Sequence, residues 1–229
     1  MHIGGFLKLT LSDFAGTPSC IVFAQGCNFR CPYCHNGGLV GSPKGAPSTR
    51  ETDIFDYLKK RAELLSGVVI TGGEPCIQQG LYEFTGRVKD LGLAVKLDTN
   101  GSRPDVLERL IAAGRVDYIA MDVKAPFSKY DTLSGCRAPL DAIRASIHVL
   151  IDSDIEHEFR TTWVRPDLTD GDVLQIAHSL AGARRYVLQT FVPIATLNPA
   201  YGAAAPADPD AAAVVRRRIQ DSGLACAVR

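Results

Sequence analysis

The segment CNFRCPYCHN, residues 27 to 36, crowds three cysteines and a histidine into ten positions. Cys31-Pro-Tyr-Cys34 has the spacing of a disulfide-exchange dithiol. With His35 added, the spacing is that of a covalent c-type haem attachment site. Cys27, Cys31, Cys34 and His35 together make a Cys₃His set, which zinc accepts. The three thiolates alone, at C-x₃-C-x₂-C, can hold three corners of an iron–sulfur cube and leave one iron without a protein ligand. Other polar residues with chemical potential lie further on: Gly72-Gly73-Glu74-Pro75, Asp98-Thr99-Asn100-Gly101, and Asp122-Val123-Lys124.

Those residues need a scaffold, and the surrounding pattern supplies one. Short apolar runs begin at Cys20, Val68, Ala94, Val116, Phe159 and Tyr186 and alternate with amphipathic stretches of helical period. The runs are brief, and β-branched and aromatic residues are prominent among them, as expected for strands buried on both faces. Helices are expected over Ile54 to Leu65 with Thr52 as cap, Leu81 to Leu91, Val106 to Ile111, Leu140 to Leu150, Asp170 to Leu180 and Asp210 to Ile219. Six β/α units predict an α/β fold with parallel strands, an open barrel or a doubly wound sheet. A short N-terminal β-hairpin over residues 1–18 precedes it. Residues 37 to 48 and 203 to 213 read as a loop and a connector. In such a fold the strands' carboxyl ends carry the chemistry, and the polar motifs fall there on four strands.

Composition narrows the partners. The 229 residues are 46% hydrophobic and 22% charged, with 25 basic and 25 acidic side chains. Zero net charge without a sustained basic run argues against nucleic acid as a main partner, and Arg216 to Arg218 read as a solvated helix face. No run is long enough to span a membrane, and the N-terminus does not read as a signal peptide, so a cytoplasmic location is expected. Seven cysteines, three of them clustered, read as metal or redox chemistry in a reducing compartment.

Against this background the four readings separate. A dithiol has no use for Cys27 or for polar groups at four strand ends, and a haem site needs export. Zinc would require the adjacent Cys34 and His35 to bend onto one ion, and leaves the strand-end set unexplained. The cube uses everything, because its open iron needs a small-molecule ligand.

Cys27-x₃-Cys31-x₂-Cys34, in a loop after a first strand, resembles the signature of the radical S-adenosylmethionine enzymes. Thr71-Gly72-Gly73-Glu74-Pro75 resembles that family's GGEP element, and Tyr33 matches the aromatic position beside the adenine. The resemblance implies a partial (β/α)₆ barrel and a [4Fe–4S] cluster on Cys27, Cys31 and Cys34, which serve as its catalytic ligands. It also implies S-adenosylmethionine bound at the open iron and reductively cleaved to a 5′-deoxyadenosyl radical. One radical domain over residues 1–229 is expected, with the hairpin at 1–18, the barrel at 19–195 and a C-terminal extension at 196–229.

Among radical enzymes, the starting GGF, then QGCNFRCPYCHN, TGGEP, LDTNG and MDVK, look like the glycyl-radical-enzyme activases. The group that activates anaerobic ribonucleoside-triphosphate reductase is the nearest match. That implies hydrogen abstraction from a glycine of a large partner enzyme, and a reduced flavodoxin- or ferredoxin-type electron donor. It further implies cofactor contacts from Tyr33, Gly72, Gly73, Glu74, Asp98, Asp122, Lys124 and Arg160. A monovalent cation at Asp98, Thr99 and Asp122 is a further expectation, and His35 and Asn36 become neighbours of the loop. Cys20, Cys76, Cys136 and Cys226 lack close spacing, so no second cluster is expected. The alternatives are a small-molecule radical enzyme such as a 7-carboxy-7-deazaguanine synthase, and a structural zinc-binding module. The loop from Lys124 to Gly135 and the C-terminal tail are candidate docking faces.

Overall fold

A computed structural model describes residues 1–41, 49–165, 167–204 and 206–229. Its contacts fall into two compact units. The first comprises Met1–Asn28, Gly38–Thr99 and Asp105–Ile119, and the second Phe29–Gly37, Asn100–Pro104 and Ala120–Arg229.

In the first unit, β1 (Ile3–Thr10) pairs antiparallel with β2 (Ser19–Ala24). The N-terminal hairpin therefore forms, but its returning strand is the first barrel strand, beyond residue 18. Parallel to β2 run β3 (Gly67–Gly72) and β4 (Ala94–Thr99), in that order. Cys20, Val22, Val68, Ile70, Val95 and Leu97 are buried along them. Burial on both faces is what parallel strands covered by helices require. The covering helices are α2 (Glu51–Lys60), α3 (Leu81–Lys89) and α4 (Pro104–Ala112), whose apolar stripes bury Ile54, Leu58, Phe84, Val88, Leu107 and Leu110.

Two local expectations change. The cap of α2 is Arg50 rather than Thr52; it makes no side-chain cap bond and instead pairs with Asp53. The stretch after the cysteines opens with a one-turn helix, α1 (Gly37–Val40). The rest of the expected loop, 42–48, lies outside the described residues.

The chain passes from the first unit to the second along β5 (Tyr118–Asp122). A short helix α5 (Tyr130–Ser134) follows, then α6 (Leu140–Asp152), β6 (Glu156–Trp163), α7 (Asp170–Ser179) and β7 (Tyr186–Thr190). Strand β7 is parallel to β6 on one side and to a strand not foreseen, β8 (Cys226–Val228), on the other. Helix α8 (Pro209–Asp221) leads into β8 and keeps Arg216, Arg217 and Arg218 exposed, as the sequence pattern predicts. A capping box starts α7: Thr169 Oγ1 accepts from the Asp172 N–H, and Asp172 accepts from the Thr169 N–H. Among the described residues, no helix is long and apolar enough to cross a membrane.

Candidate active site: the cysteine loop and the strand ends

The root of the cysteine loop belongs to the first unit. Gly26 and Cys27 donate their N–H groups to the carbonyls of Leu39 and Val40, at 2.7 and 3.2 Å, so the two ends of the loop meet. Gln25 reinforces the closure by donating to the Gly38 and Gly41 carbonyls. The TGGEP segment packs on this root. Glu74 N–H donates to Gly26 O at 2.9 Å and Gly73 N–H to Ala24 O at 2.9 Å. A Cβ at Gly73 would stand 2.1 Å from the Gly26 oxygen. Gly72 has φ +109, and its Cβ would fall 2.6 Å from Ala24 N. Both glycines are thus demanded by backbone-on-backbone contact at the root of the cysteine loop.

Beside them Glu74 is buried at 1% exposure. Its Oε1 accepts from the Cys76 N–H at 2.9 Å and from Thr99 Oγ1 at 2.7 Å, which joins the ends of β3 and β4. Asp98, on the same strand as Thr99, lies 3.5 Å from the Lys96 ammonium. Lys96 is itself buried and also donates to the Asp13 carbonyl.

In the second unit, the Cys34 N–H donates to Cys31 O at 3.0 Å, a tight turn. Cys31 is buried and Cys34 half-buried, and none of the seven cysteines is in a disulfide. Between them Tyr33 is 4% exposed, with its phenol oxygen buried and without a hydrogen-bond partner. Burial first, then Cys31, raises its pKa well above the ordinary range, with Lys124 opposing and Asp122 adding to the rise. His35 does not turn toward the cysteines as a zinc reading needs. Its Nε2 lies 2.6 Å from Val192 O and its ring stacks on Phe191.

At the end of β5, Asp122 is closed by two cations. Its Oδ1 accepts from Arg160 Nε at 2.8 Å and its Oδ2 from Lys124 Nζ at 2.9 Å. Burial alone would raise the carboxyl, but Arg160 and Lys124 outweigh it and hold the pKa at about 2. Burial pulls on Lys124 in the opposite sense, yet Asp122, Tyr33 and Cys31 hold its ammonium well above the ordinary range. The arrangement is built from backbone and hydroxyls: Val123 N–H donates to Arg160 O, Val123 O accepts from Thr161 Oγ1, and Tyr186 Oη bonds Thr161 at 2.8 Å. Both Asp122 oxygens thus accept from a cation, and in the first unit the Thr99 hydroxyl donates to Glu74.

The loop from Lys124 to Gly135 is partly buried, with Ser128, Asp131, Thr132 and Gly135 exposed. Tyr130 and Leu133 are buried; Tyr130 Oη accepts from the Lys124 N–H at 3.2 Å, and Ser134 O accepts from the Arg30 N–H at 2.8 Å. Gly135, at φ +65, packs against the Arg30 carbonyl. This segment supports the cysteine loop. Sequence reasoning missed Tyr130, Ser134 and Gly135; a glycine ending a short helical turn was the available signal.

The donor set suits a cube better than a single ion. Zinc needs its donors about 2.0–2.3 Å from one centre, and among the described residues no three His, Cys, Asp or Glu side chains group that way. Separate irons taking separate thiolates ask for no such crowding. With His35 bonded to Val192, Cys27, Cys31 and Cys34 are the residues of the loop that would hold the cluster.

A glycyl-radical enzyme activating enzyme of Methanocaldococcus jannaschii, so named provisionally, is 34% identical over 197 residues, covering 83% of this chain and 80% of its own. A 7-carboxy-7-deazaguanine synthase of Methanopyrus kandleri is 29% identical over 62% of this chain and 65% of its own. Among solved structures, a domain of pyruvate-formate lyase-activating enzyme from Bacteroides vulgatus superposes with a TM-score of 0.57 at 16% identity, covering 72% of this chain and 99% of its own. That likeness supports the expected partial barrel as the fold. Residues 21–180 match the radical SAM superfamily, and the chain belongs to that superfamily, an enzyme family that works with a [4Fe–4S] cluster and S-adenosylmethionine.

Proposed function

We infer that this enzyme activates a glycyl radical enzyme, of the anaerobic ribonucleotide reductase kind. The observation that carries the reading is length-matched likeness: the activase-type relative is 34% identical over 83% of this chain and 80% of its own. When bound, the cluster and S-adenosylmethionine supply an electron and an adenosyl radical that takes a hydrogen atom from a glycine Cα. The chain's own residues do the rest. Cys27, Cys31 and Cys34 hold the irons. Glu74, fixed by Thr99 and the Cys76 N–H, accepts from the cofactor's ammonium. Tyr33 lines the adenosyl side. Arg160 and Lys124, neutralised in part by Asp122, present residual positive potential to the cofactor's carboxylate, and Asp98 and the two glycines frame the strand ends.

The partner is a large glycyl radical enzyme, and a flavodoxin- or ferredoxin-type protein delivers the electron. The experiment is anaerobic incubation of the reduced enzyme with S-adenosylmethionine and a large glycyl radical enzyme from the same organism. Spin resonance should then show a glycine-centred doublet on that protein. The second reading, a 7-carboxy-7-deazaguanine synthase, is supported by relatives of that name, the Methanopyrus protein among them, that cover less of this chain than the activase-type relative. It predicts turnover of a small-molecule substrate and no radical on any protein.

A further inference from the structure

The stretch after β7, from Phe191 to Tyr201, is poorly explained by packing. Val192, Ile194 and Leu197 are exposed, so burial of apolar surface does not set its course. Ala195 has φ +46, the lone positive value at a non-glycine residue among those described. Such a conformation persists only where surrounding contacts hold it.

Those contacts run to the cysteine loop, within the same unit. Leu197 N–H donates to Cys34 O at 2.9 Å, and Asn198 N–H to Pro32 O at 2.8 Å. A Cβ at Gly37 would lie 3.4 Å from Leu197 Cα, so the two backbones are in contact. Phe191, fully buried, stacks on the His35 ring at 5.5 Å and 11° and meets Tyr33 edge to face at 6.4 Å. The Val192 carbonyl lies 2.6 Å from His35 Nε2. A carbonyl can only accept, so Nε2 carries the proton and donates.

We propose that Phe191 to Tyr201 is a strap that sets the position of Cys34, with His35 as its latch. His35 is then a positioning residue, acting through the backbone of its neighbour rather than by binding metal. The side chain is exposed, so its removal leaves no internal cavity and uncovers only one face of Phe191. What it changes is the tether between a loop that ends in a cluster ligand and a strap already bonded to that ligand's carbonyl. Groups that orient a metal ligand without touching the metal commonly govern metal affinity. The proposal rests on the reading of this loop as the holder of a cluster with an open iron.

The test uses the full chain, reconstituted anaerobically, as wild type, His35→Ala and His35→Gln. The readouts are iron and sulfide content, melting temperature, rate of iron loss to a chelator, and the shift that S-adenosylmethionine causes in the spin-resonance signal of the reduced cluster. His35→Ala should melt with the wild type, lose iron about tenfold faster, and show a diminished or broadened shift. His35→Gln, whose amide N–H can reach the Val192 carbonyl, should return to within about twofold of wild type. Wild-type behaviour of His35→Ala in both iron loss and the shift would overturn the latch. So would a His35→Gln chain as impaired as His35→Ala, since the imidazole itself would then be the functional group. A wild-type chain that takes up no iron would overturn the cluster reading, and the latch with it.

Discussion

Thr99 donates its hydroxyl proton to Glu74 Oε1 at 2.7 Å, so the ends of two neighbouring parallel strands share one buried carboxylate. Glu74 therefore does not wait as a loose anion; its direction is set before any ligand arrives. Thr99→Val removes that bond while keeping shape. S-adenosylmethionine affinity should fall about three- to tenfold with iron content unchanged. Glu74→Ala should weaken binding further while the cluster stays. Anaerobic calorimetric titration measures both, and unchanged affinity in either variant removes the pair from the site.

The Asp122 triad gives a pH signature. Its carboxyl is held at about 2, below the ordinary 3.8, so the stabilisation it confers is complete above about pH 4–5 and is lost as pH falls toward 2. Lys124 is shifted upward, so its contribution is intact at every pH below its ordinary value and is lost only above it. Asp122→Asn should therefore show a constant deficit in urea stability from pH 5 to 9. That deficit should shrink by about 2 kcal/mol on descending to pH 2. Refolding titrations across that range supply the measurement; a deficit independent of pH would show that Asp122 titrates normally.

Backbone contact beneath the cysteine loop can be tested with glycines. Gly135→Ala adds a Cβ 2.1 Å from the Arg30 oxygen at a residue with φ +65. It should destabilise by more than about 2 kcal/mol and slow cluster assembly. Gly92→Ala has the same sign of φ, but nothing lies within 4 Å of its Cβ, so about 1 kcal/mol is expected and normal iron uptake. Equal losses in the two variants would mean that the contact with Arg30 contributes nothing.

Thiol chemistry should divide the cysteines. Burial pushes Cys20 up to about 12 and Cys226 to about 11, so neither is a thiolate at neutral pH. In the native apoprotein both should resist alkylation, and Cys20→Ser should keep full iron content. Cys31→Ser should lose the cluster, because three thiolates are the minimum for this site. Mass mapping of alkylated sites, with iron and sulfide analysis, checks each statement.

Much of this was legible in the sequence because it was local. The apolar runs at Val68 and Ala94 became β3 and β4 with parallel pairing, since period and brevity report burial on both faces. The polar motifs fell at strand ends for the same reason. What stayed hidden depends on contacts distant in sequence. Nothing in YVLQTFVPIATLN announces that its backbone will bond Cys34 and Pro32 across more than a hundred and fifty residues. The short strand Cys226–Val228 carries too few residues to show a period. Lys124 was expected to face a ligand, and nothing in its spacing showed that Asp122 would already hold it.

The activity proposed for this enzyme is the transfer of hydrogen from a glycine of a partner protein to a radical generated on this chain. The direct measurement supplies the enzyme with a partner whose glycines carry deuterium at Cα, then reads the mass of the 5′-deoxyadenosine released. One deuterium per molecule in the first turnover, alongside a glycine-centred spin-resonance signal that loses its Cα-hydrogen doublet if a protiated partner is not used, is the predicted result. Unlabelled 5′-deoxyadenosine, formed at the same rate with or without the partner, would contradict it.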